Sequence, residues 1–113
     1  MSKRDNNLLL EDIVEAASKI RKYTSDHDYS AFIEDDRTMD AVIRNFEIIG
    51  EAANRIDPDF KSHNPQVDWR RIIGFRNRVV HDYIGIDYEI VWQIIQEDLE
   101  ELVFQIKELL DSN

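Results

Sequence analysis

The stretch YEIVWQIIQEDLEELVFQIKEL, residues 88–109, decides the fold because its apolar residues recur at steps of three and four. That spacing keeps one face of a helix apolar for about six turns. Asp87 stands directly before the stretch as a natural N-cap. The predicted buried stripe consists of Tyr88, Val91, Ile95, Leu99, Leu102, Ile106 and Leu109. The stretch therefore predicts a long amphipathic helix.

The N-terminal part of the chain has the same periodicity. It predicts a first helix over residues 8–24, which is expected to stop near Ser25. The apolar face of this helix carries Leu10, Ile13, Ala17, Ile20 and Thr24. Phe32 and Ile33 then offer one apolar patch after polar residues that can cap a helix, so a short helical turn is expected over residues 29–34.

A second helix is predicted to begin after Asp35-Asp36, which can cap it, and to end at Asp57-Pro58. Its buried stripe is predicted to be Ala41, Val42, Phe46, Ile49, Ala53 and Ile56. The small residues Gly50, Ala52 and Ala53 on this helix permit close contact with a neighbouring helix.

Residues 57–67 are expected to form a loop because they contain two prolines and an asparagine. Asp68 can then cap a third helix that is predicted to run from Trp69 to about Tyr83 and to end at Gly85. Gly74 is a weak but tolerated point within it. Its inward side chains are predicted to be Ile72, Val79, Val80 and Tyr83.

The composition fits these helices. The chain has 113 residues with only 3 Gly and 2 Pro, and 34% of the residues are charged while 42% are hydrophobic. This balance is typical of a helical bundle and unfavourable for many tight β-turns. We therefore expect one domain over residues 1–113, an all-α antiparallel four-helix bundle with an extra short helix.

Three classes of function are disfavoured by composition. The chain has no cysteine, so disulfides, thiolate metal sites and a cysteine nucleophile are excluded. Its first residues lack the long apolar run of a signal peptide or membrane span, and we expect a soluble, cytoplasmic protein. The net charge of -10 argues against coating nucleic acid with the whole surface, so any such contact must be local.

Positive charge is concentrated in residues 70–78, which contain Arg70, Arg71, Arg76 and Arg78 and no acid. Residues 87–113 contain eight acids and only Lys107 as a basic residue. Because the guanidinium group offers a rigid fork to phosphate oxygens, this stretch is where a phosphate would bind. The alternative, equally supported by composition, is that these arginines form a solvated face that pairs with the acidic fourth helix.

The stretch continues into Arg76-Asn77-Arg78-Val79-Val80-His81-Asp82-Tyr83, in which an Arg is followed after four residues by a His and then by a Tyr. A chain with nine Arg and 3 His matches such a spacing easily by chance, so the pattern alone is weak. On one continuous helix, Asn77 and His81 would share a face, as would Arg76 and Tyr83. Arg76 and His81 would instead lie about 140° apart, so either the helix frays at His81 or a second copy completes the pair.

The wider context resembles the HepT-like ribonuclease family of the HEPN superfamily over nearly the whole chain. The blocks that carry the resemblance are Phe32, Ile49-Gly50-Glu51-Ala52-Ala53, Val67-Asp68-Trp69, Arg76-Asn77, His81-Asp82-Tyr83 and Val91-Trp92, in the order of the family. The resemblance implies that Arg76 and His81 are the catalytic residues of an R-x4-H-x-Y motif and that Asn77 supports them. It also implies that Tyr83 is a tyrosine that becomes adenylylated.

The same resemblance implies the biological setting. It indicates a homodimeric toxin of a HepT/MntA-type toxin-antitoxin pair that cuts an RNA, such as a tRNA or mRNA, without a metal ion or cofactor. Its antitoxin would be an MntA-type nucleotidyltransferase. The alternative function is a non-catalytic helical subunit that binds nucleotide or docks on a nucleotidyltransferase, but such a subunit has no need of a titratable His beside an Arg.

The remaining polar and aromatic candidates are interpreted structurally. His27 and His63 fall in predicted loops without a metal-ligand partner at suitable spacing, and both are expected to be exposed. Glu47 and Glu51 lie four residues apart on the second helix, where a structural role is favoured over acid/base chemistry and Glu51 can hold an Arg in place. The two tryptophans, Trp69 and Trp92, are expected in the core and not as platforms for stacking bases.

Overall fold

Helices account for most of the computed structural model, which describes residues 3–75, 78, 80–81 and 85–112. In chain order the elements are α1 (Lys3–Thr24), α2 (Tyr29–Ile33), α3 (Asp36–Arg55), α4 (Pro58–His63), α5 (Trp69–Ile73), β1 (Val80–His81), β2 (Gly85–Ile86), α6 (Tyr88–Glu97) and α7 (Leu99–Ser112). The predicted all-α class is confirmed, and the only departure among the described residues is the short ribbon formed by β1 and β2.

Aspartates begin the helices as the sequence predicts. The side chains of Asp35, Asp68 and Asp87 accept hydrogen bonds from backbone N–H groups in the first turn of α3, α5 and α6. Asp28 caps the short helix α2 in the same way. Each carboxylate satisfies a backbone donor that the helix itself leaves unpaired, which fixes where the helix starts.

The two longest helices, α1 and α3, pack against each other and run in opposite directions. The backbone N–H of Asp57, just after α3, donates to Asn6 Oδ1 near the start of α1 at 3.2 Å. At the opposite end, His27 after α1 lies 3.0 Å from Asp35 at the start of α3. Both ends of the helix pair are therefore joined by polar contacts across the chain.

The apolar faces of four helices meet in one core. Every residue predicted for the buried stripe of α1 is buried, as are most of those predicted for α3 and for the C-terminal helix. Side chains of this core are Leu10, Ile13, Ala17, Ile20, Val42, Phe46, Ile49, Ala53, Val91, Ile95, Leu99, Leu102, Ile106 and Leu109. Burial of these stripes supplies the main driving force for the fold.

The predicted third helix over residues 69–83 is wrong in extent. Helix α5 ends at Ile73 and Gly74 is its C-cap. Phe75 and Arg78 are again helical, but Val80 and His81 form a strand. Gly85 does not end a helix, because it lies in β2 with a positive φ of 88°. A weak helix former at Gly74 and the β-branched side chain of Val80 explain why helical structure does not persist.

Two smaller differences concern the loop predicted over residues 57–67 and the fourth helix. Residues Pro58–His63 form α4, with Asp57 as N-cap and the proline at its first position, where a missing N–H costs nothing. The fourth helix is interrupted at Asp98, which separates α6 from α7. The backbone bond from Leu102 N–H to Asp98 O persists across this point at 3.1 Å, so the interruption is slight.

Within the described part of the chain, no helix is both long enough and apolar enough to cross a bilayer.

Candidate active site

The proposed catalytic motif lies on the segment between α5 and α6. Arg76, Asn77 and Tyr83 lie outside the described residues. The backbone of His81 is described, and it belongs to β1, where His81 pairs with Gly85 of the antiparallel neighbour β2. The histidine of the motif is therefore on a short β-ribbon.

This placement corrects the helical geometry that the sequence suggests. Because His81 lies on a strand, the four-residue step from Asn77 to His81 is not a helical step, and the 140° angle between Arg76 and His81 does not apply. The predicted helical stripe shared by Arg76 and Tyr83 falls on residues outside the described part of the chain. Helical structure ends before His81, which agrees with one of the two alternatives for the pair of Arg76 and His81, and completion of the pair by a second copy stays a prediction.

Two arginines of the basic stretch, which is predicted to bind RNA through Arg70, Arg71 and Arg78, converge on one carboxylate. Arg71 Nη2 donates to Asp98 Oδ2 at 2.7 Å, and Arg78 Nη1 lies 3.7 Å from the same oxygen. Arg70 is exposed on α5 and makes no ion pair within the described ranges. The alternative in which basic residues pair with the acidic C-terminal helix is thus realised for Arg71 and Arg78, through a residue that the sequence did not single out.

Arg78 is held from a second direction by aromatic packing. Its guanidinium carbon lies 5.9 Å from the ring centroid of Phe75, which is within the range of a cation–π contact. Phe75 is itself buried and packs edge-to-face on Phe46 of α3, with ring centroids 5.3 Å apart. The position of Arg78 is therefore tied to the core of the bundle.

A cleft of about 170 Å³ lies beside this arginine cluster. Arg71 and Asp98 line it together with Asp68 and Glu101, so its walls contain one cation and several carboxylates. Another groove, of about 390 Å³, runs along α3 and includes Glu47, Gly50 and Glu51 beside Ile73 of α5. The cleft is small for a nucleotide, and its walls carry charges of both signs.

The proposed supporting residue Glu51 is exposed on α3. No described arginine forms an ion pair with it, so the expected role of holding an Arg finds no partner in the described part of the chain. Glu47, one turn earlier, is exposed as well.

His27 and His63, the two histidines outside the motif, differ in their exposure to solvent. His63 is exposed as expected, although it ends α4 and does not lie in a loop. The prediction for His27 is wrong, because its side chain is only 17% exposed and lies 3.0 Å from both Asp26 and Asp35. Those carboxylates come from the turn after α1 and from the cap of α3, and the folded chain brings them together around the ring.

The contact between His27 and Asp35 shifts the pKa values of both side chains. The hydrogen bond to Asp35 and then the contact with Asp26 raise the pKa of His27 above its usual 6.5. Hydrogen bonds from Thr38 and from His27 lower the pKa of Asp35 from 3.8 to about 2. Each partner stabilises the charged form of the other.

The remaining predictions for the molecule concern metal ions and the two tryptophans. Within residues 3–75, 78, 80–81 and 85–112, no group of three or more His, Asp or Glu side chains is arranged to hold a metal ion. Trp69 is buried and Trp92 is half-buried against the rings of Phe32 and Tyr29, which confirms the prediction that both tryptophans pack in the core.

Comparison with known proteins defines the class to which this helical fold and its motif belong. The Ribonuclease HepT-like family model matches residues 13–109. The chain therefore belongs to the HepT-like ribonuclease family.

Individual relatives agree with this assignment. A Methanocaldococcus jannaschii protein provisionally named an RNase is 42% identical over 107 residues, which cover 95% of this chain and 98% of the relative. A Thermococcus cleftensis protein provisionally named ribonuclease HepT is 37% identical over 107 residues, or 95% of this chain and 97% of the relative. No solved structure gives a significant match.

Proposed function

We propose that this chain is an endoribonuclease toxin that cleaves RNA without a metal ion, with Arg76 and His81 as its catalytic residues. The observation that carries the proposal is the complete R-x4-H-x-Y sequence, residues 76–83, in a member of a ribonuclease family. The motif adjoins the basic stretch of residues 70–78, which supplies local positive charge on a chain with a net charge of -10. An RNA backbone can therefore be held near the motif while the rest of the surface repels it.

In the proposed reaction, the neutral imidazole of His81 takes the proton from a ribose 2′-hydroxyl. The 2′ oxygen attacks the adjacent phosphorus, a new P–O bond forms, and the bond to the 5′ oxygen of the next nucleotide breaks. Arg76 stabilises the negative charge that develops on the phosphoryl oxygens. The leaving 5′ oxygen takes up a proton, so the products carry a 2′,3′-cyclic phosphate and a 5′-hydroxyl.

We place this reaction in a homodimer. A general acid is needed for the leaving oxygen, and the partner subunit's His81 supplies it if the two motifs face each other. The family resemblance assigns Asn77 a supporting role beside His81. The dimer proposal rests on the family resemblance and on this chemical requirement, since the helical angle between Arg76 and His81 no longer supports it.

Silencing of the toxin is proposed to occur at Tyr83. An MntA-type nucleotidyltransferase would transfer AMP from ATP to the phenol oxygen, forming a P–O bond to the tyrosine and releasing pyrophosphate. The attached phosphodiester brings a negative charge and a purine next to the arginines of the motif segment. It should pair with those arginines and repel RNA without unfolding the protein.

Product chemistry tests the proposed reaction. Cleavage should persist in EDTA, and a substrate with a single 2′-deoxy sugar at the cut site should resist. Arg76→Ala and His81→Ala should each lower the rate by a factor of about 10² to 10⁴, as expected for loss of a charge stabiliser or a general base. Efficient cleavage of the deoxy substrate would overturn the mechanism, and an inert but well-folded chain would favour the non-catalytic docking subunit.

Co-expression with the nucleotidyltransferase tests the proposed modification. Mass spectrometry should find one adenylyl group on Tyr83, and the modified protein should lose activity while its unfolding temperature stays unchanged. Tyr83→Phe should remain toxic in the presence of the partner. If the partner fully silences Tyr83→Phe, inhibition works by binding and the modification is not the switch.

A further inference from the structure

The carboxylate of Asp98 contacts two arginines that come from different parts of the basic stretch. We propose that Asp98 is a positioning residue that sets Arg71 and Arg78 in place to receive the phosphates of RNA. This inference rests on the proposed function. It goes beyond the motif, because Asp98 lies between α6 and α7, far along the chain from residues 76–83.

Asp98 makes one short contact and one longer contact from a sheltered side chain. Its Oδ2 accepts from Arg71 Nη2 at 2.7 Å and lies 3.7 Å from Arg78 Nη1, and only 22% of the Asp98 side chain is exposed. A bond of this length between ionised groups is a strong, charge-assisted hydrogen bond. Asp98 is therefore hydrogen-bonded to Arg71 and lies within ion-pair distance of Arg78.

The Arg78 guanidinium depends on Asp98 for its counter-charge more than the Arg71 guanidinium does. Its Nη1 is shielded from solvent and has no hydrogen-bond partner among the described residues, so its proximity to Asp98 is the main electrostatic compensation for that nitrogen. The ring of Phe75 supports the guanidinium from another side. Without the carboxylate, a shielded cationic group would keep no counter-charge and the side chain would turn toward water.

Charge balance leaves the pair able to bind an anion. Within this cluster two guanidinium groups face one carboxylate and leave one positive charge in excess, while Asp68 and Glu101 are further carboxylates that line the cleft beside Arg71. The Arg71 side chain is 48% exposed and the Arg78 side chain 36%, so both keep donors that can reach solvent and a phosphate. Because Asp98 is more sheltered than either arginine, a phosphate can bind their exposed donors without displacing the carboxylate.

The opposite role for Asp98 predicts a different change in RNA affinity. If Asp98 competed with RNA for the arginines, its neutralisation would free them and tighten binding. If Asp98 positions them, its neutralisation loosens both side chains and weakens binding, although the protein becomes less negative. The sign of the change in affinity separates the two roles.

The experiment compares Asp98→Asn with Glu101→Gln, measuring affinity for a fluorescent single-stranded RNA over a range of salt concentrations. Both variants are made in the His81→Ala background, so that the RNA is not cut. Glu101 lines the same cleft, and its described side-chain bond is to Gln105, so its variant removes one negative charge without releasing an arginine. Asp98→Asn should bind about tenfold more weakly, and its salt dependence should fall by about 1 to 2 in slope, one for each arginine that no longer reaches a phosphate. Glu101→Gln should bind as tightly as the parent or slightly tighter.

Further variants guard against a purely structural effect. Asp98→Glu keeps the charge and should recover part of the affinity, and Arg71→Gln combined with Asp98→Asn should bind no more than slightly more weakly than Asp98→Asn. An unchanged salt slope in folded Asp98→Asn, or tighter binding, would overturn the positioning role alone. A parent chain that neither binds nor cleaves RNA would overturn the proposed function and this inference together.

Discussion

His27 Nε2 lies 3.0 Å from Asp35 Oδ2, so the turn after α1 is joined to the residue that caps α3. Asp35 also accepts from the backbone N–H and the hydroxyl of Thr38 in the first turn of α3. The Asp35 carboxylate thus caps α3 and also contacts His27 in the turn that follows α1. The contact makes the stability of this end of the bundle depend on pH.

The pH range follows from the two pKa shifts. The raised pKa of His27 means that its contribution is fully present below about 6.5 and is lost as the pH rises through the higher folded-state value. The pKa of Asp35, lowered to about 2, means that its contribution is present above 3.8 and is lost as the pH falls toward 2. The pair therefore stabilises the fold most between about pH 4 and 6.5.

We expect His27→Gln to lower the unfolding temperature more at pH 5 than at pH 8.5, because only at pH 5 is the lost imidazole charged. Thermal unfolding followed by circular dichroism measures this difference. His63→Gln is the matched control, since His63 is exposed and no described carboxylate pairs with it. Equal losses at both pH values in His27→Gln would contradict the ion pair.

The packing of α2 against the rest of the fold should depend mainly on Phe32. Its side chain is 0% exposed and packs against Trp92 and Tyr88 of α6, with ring centroids 5.1 and 6.1 Å away. Phe32→Ala should lower the free energy of unfolding by about 3 to 5 kcal/mol in urea titration, since it leaves a cavity in the core. The neighbouring Ile33 is 41% exposed, and Ile33→Ala should change stability by less than about 1 kcal/mol. Similar losses in both variants would show that α2 is not anchored by Phe32.

Gly85 should be required for the ribbon that carries His81. Its φ of 88° is strained for any residue with a Cβ, at a cost of about 1 to 2 kcal/mol. Gly85→Ala should therefore distort the pairing with His81 and reduce RNA cleavage by an order of magnitude or more, with a small change in unfolding temperature.

Gly50→Ala provides the comparison for Gly85. A Cβ at Gly50 would sit 3.6 Å from the carbonyl oxygen of Ile73, which is ordinary van der Waals contact. This variant should keep full activity and should be no less stable, since alanine favours the helix. Full activity in Gly85→Ala would show that the ribbon does not position the histidine.

Arg70 should bind RNA independently of Asp98. It is exposed on α5 and has no ion pair within the described ranges, so its guanidinium is available to a phosphate. Arg70→Ala should weaken binding of all RNA sequences alike and reduce the slope of log affinity against log salt by about 1. Arg44, exposed on α3 outside the basic stretch, is the control and should leave the slope unchanged on conversion to Ala. A loss confined to one RNA sequence would indicate base recognition instead.

Most of the helical framework could be predicted from local sequence signals. The apolar stripe of α1 and most of the stripes of α3 and the C-terminal helix are buried as predicted, and Asp35, Asp68 and Asp87 cap the helices for which they were proposed. These features depend on periodicity and on residues a few positions apart, both of which can be seen in one sequence.

The differences arise where distant residues or weak local preferences decide the structure. The contacts of His27 with Asp35 and of Arg71 with Asp98 join residues that only the folded chain brings together. Helix α4 begins with Pro58, which looks like a loop signal but is well tolerated at the first helical position. The residues between Gly74 and Gly85 have similar preferences for helix and for strand. The family motif does not indicate which of the two structures forms.

The central proposal is that His81 is the base for cleavage through the ribose 2′-hydroxyl, and the ends of the RNA products test it most directly. A defined RNA is incubated in EDTA with the unsubstituted chain, with His81→Ala, and with His63→Ala as the control for an exposed histidine. We predict 2′,3′-cyclic phosphate and 5′-hydroxyl ends for the unsubstituted chain and His63→Ala, and for His81→Ala a rate of formation of these ends lower by a factor of about 10² or more. Equal cleavage by His81→Ala, or products with 3′-hydroxyl and 5′-phosphate ends, would contradict the proposal.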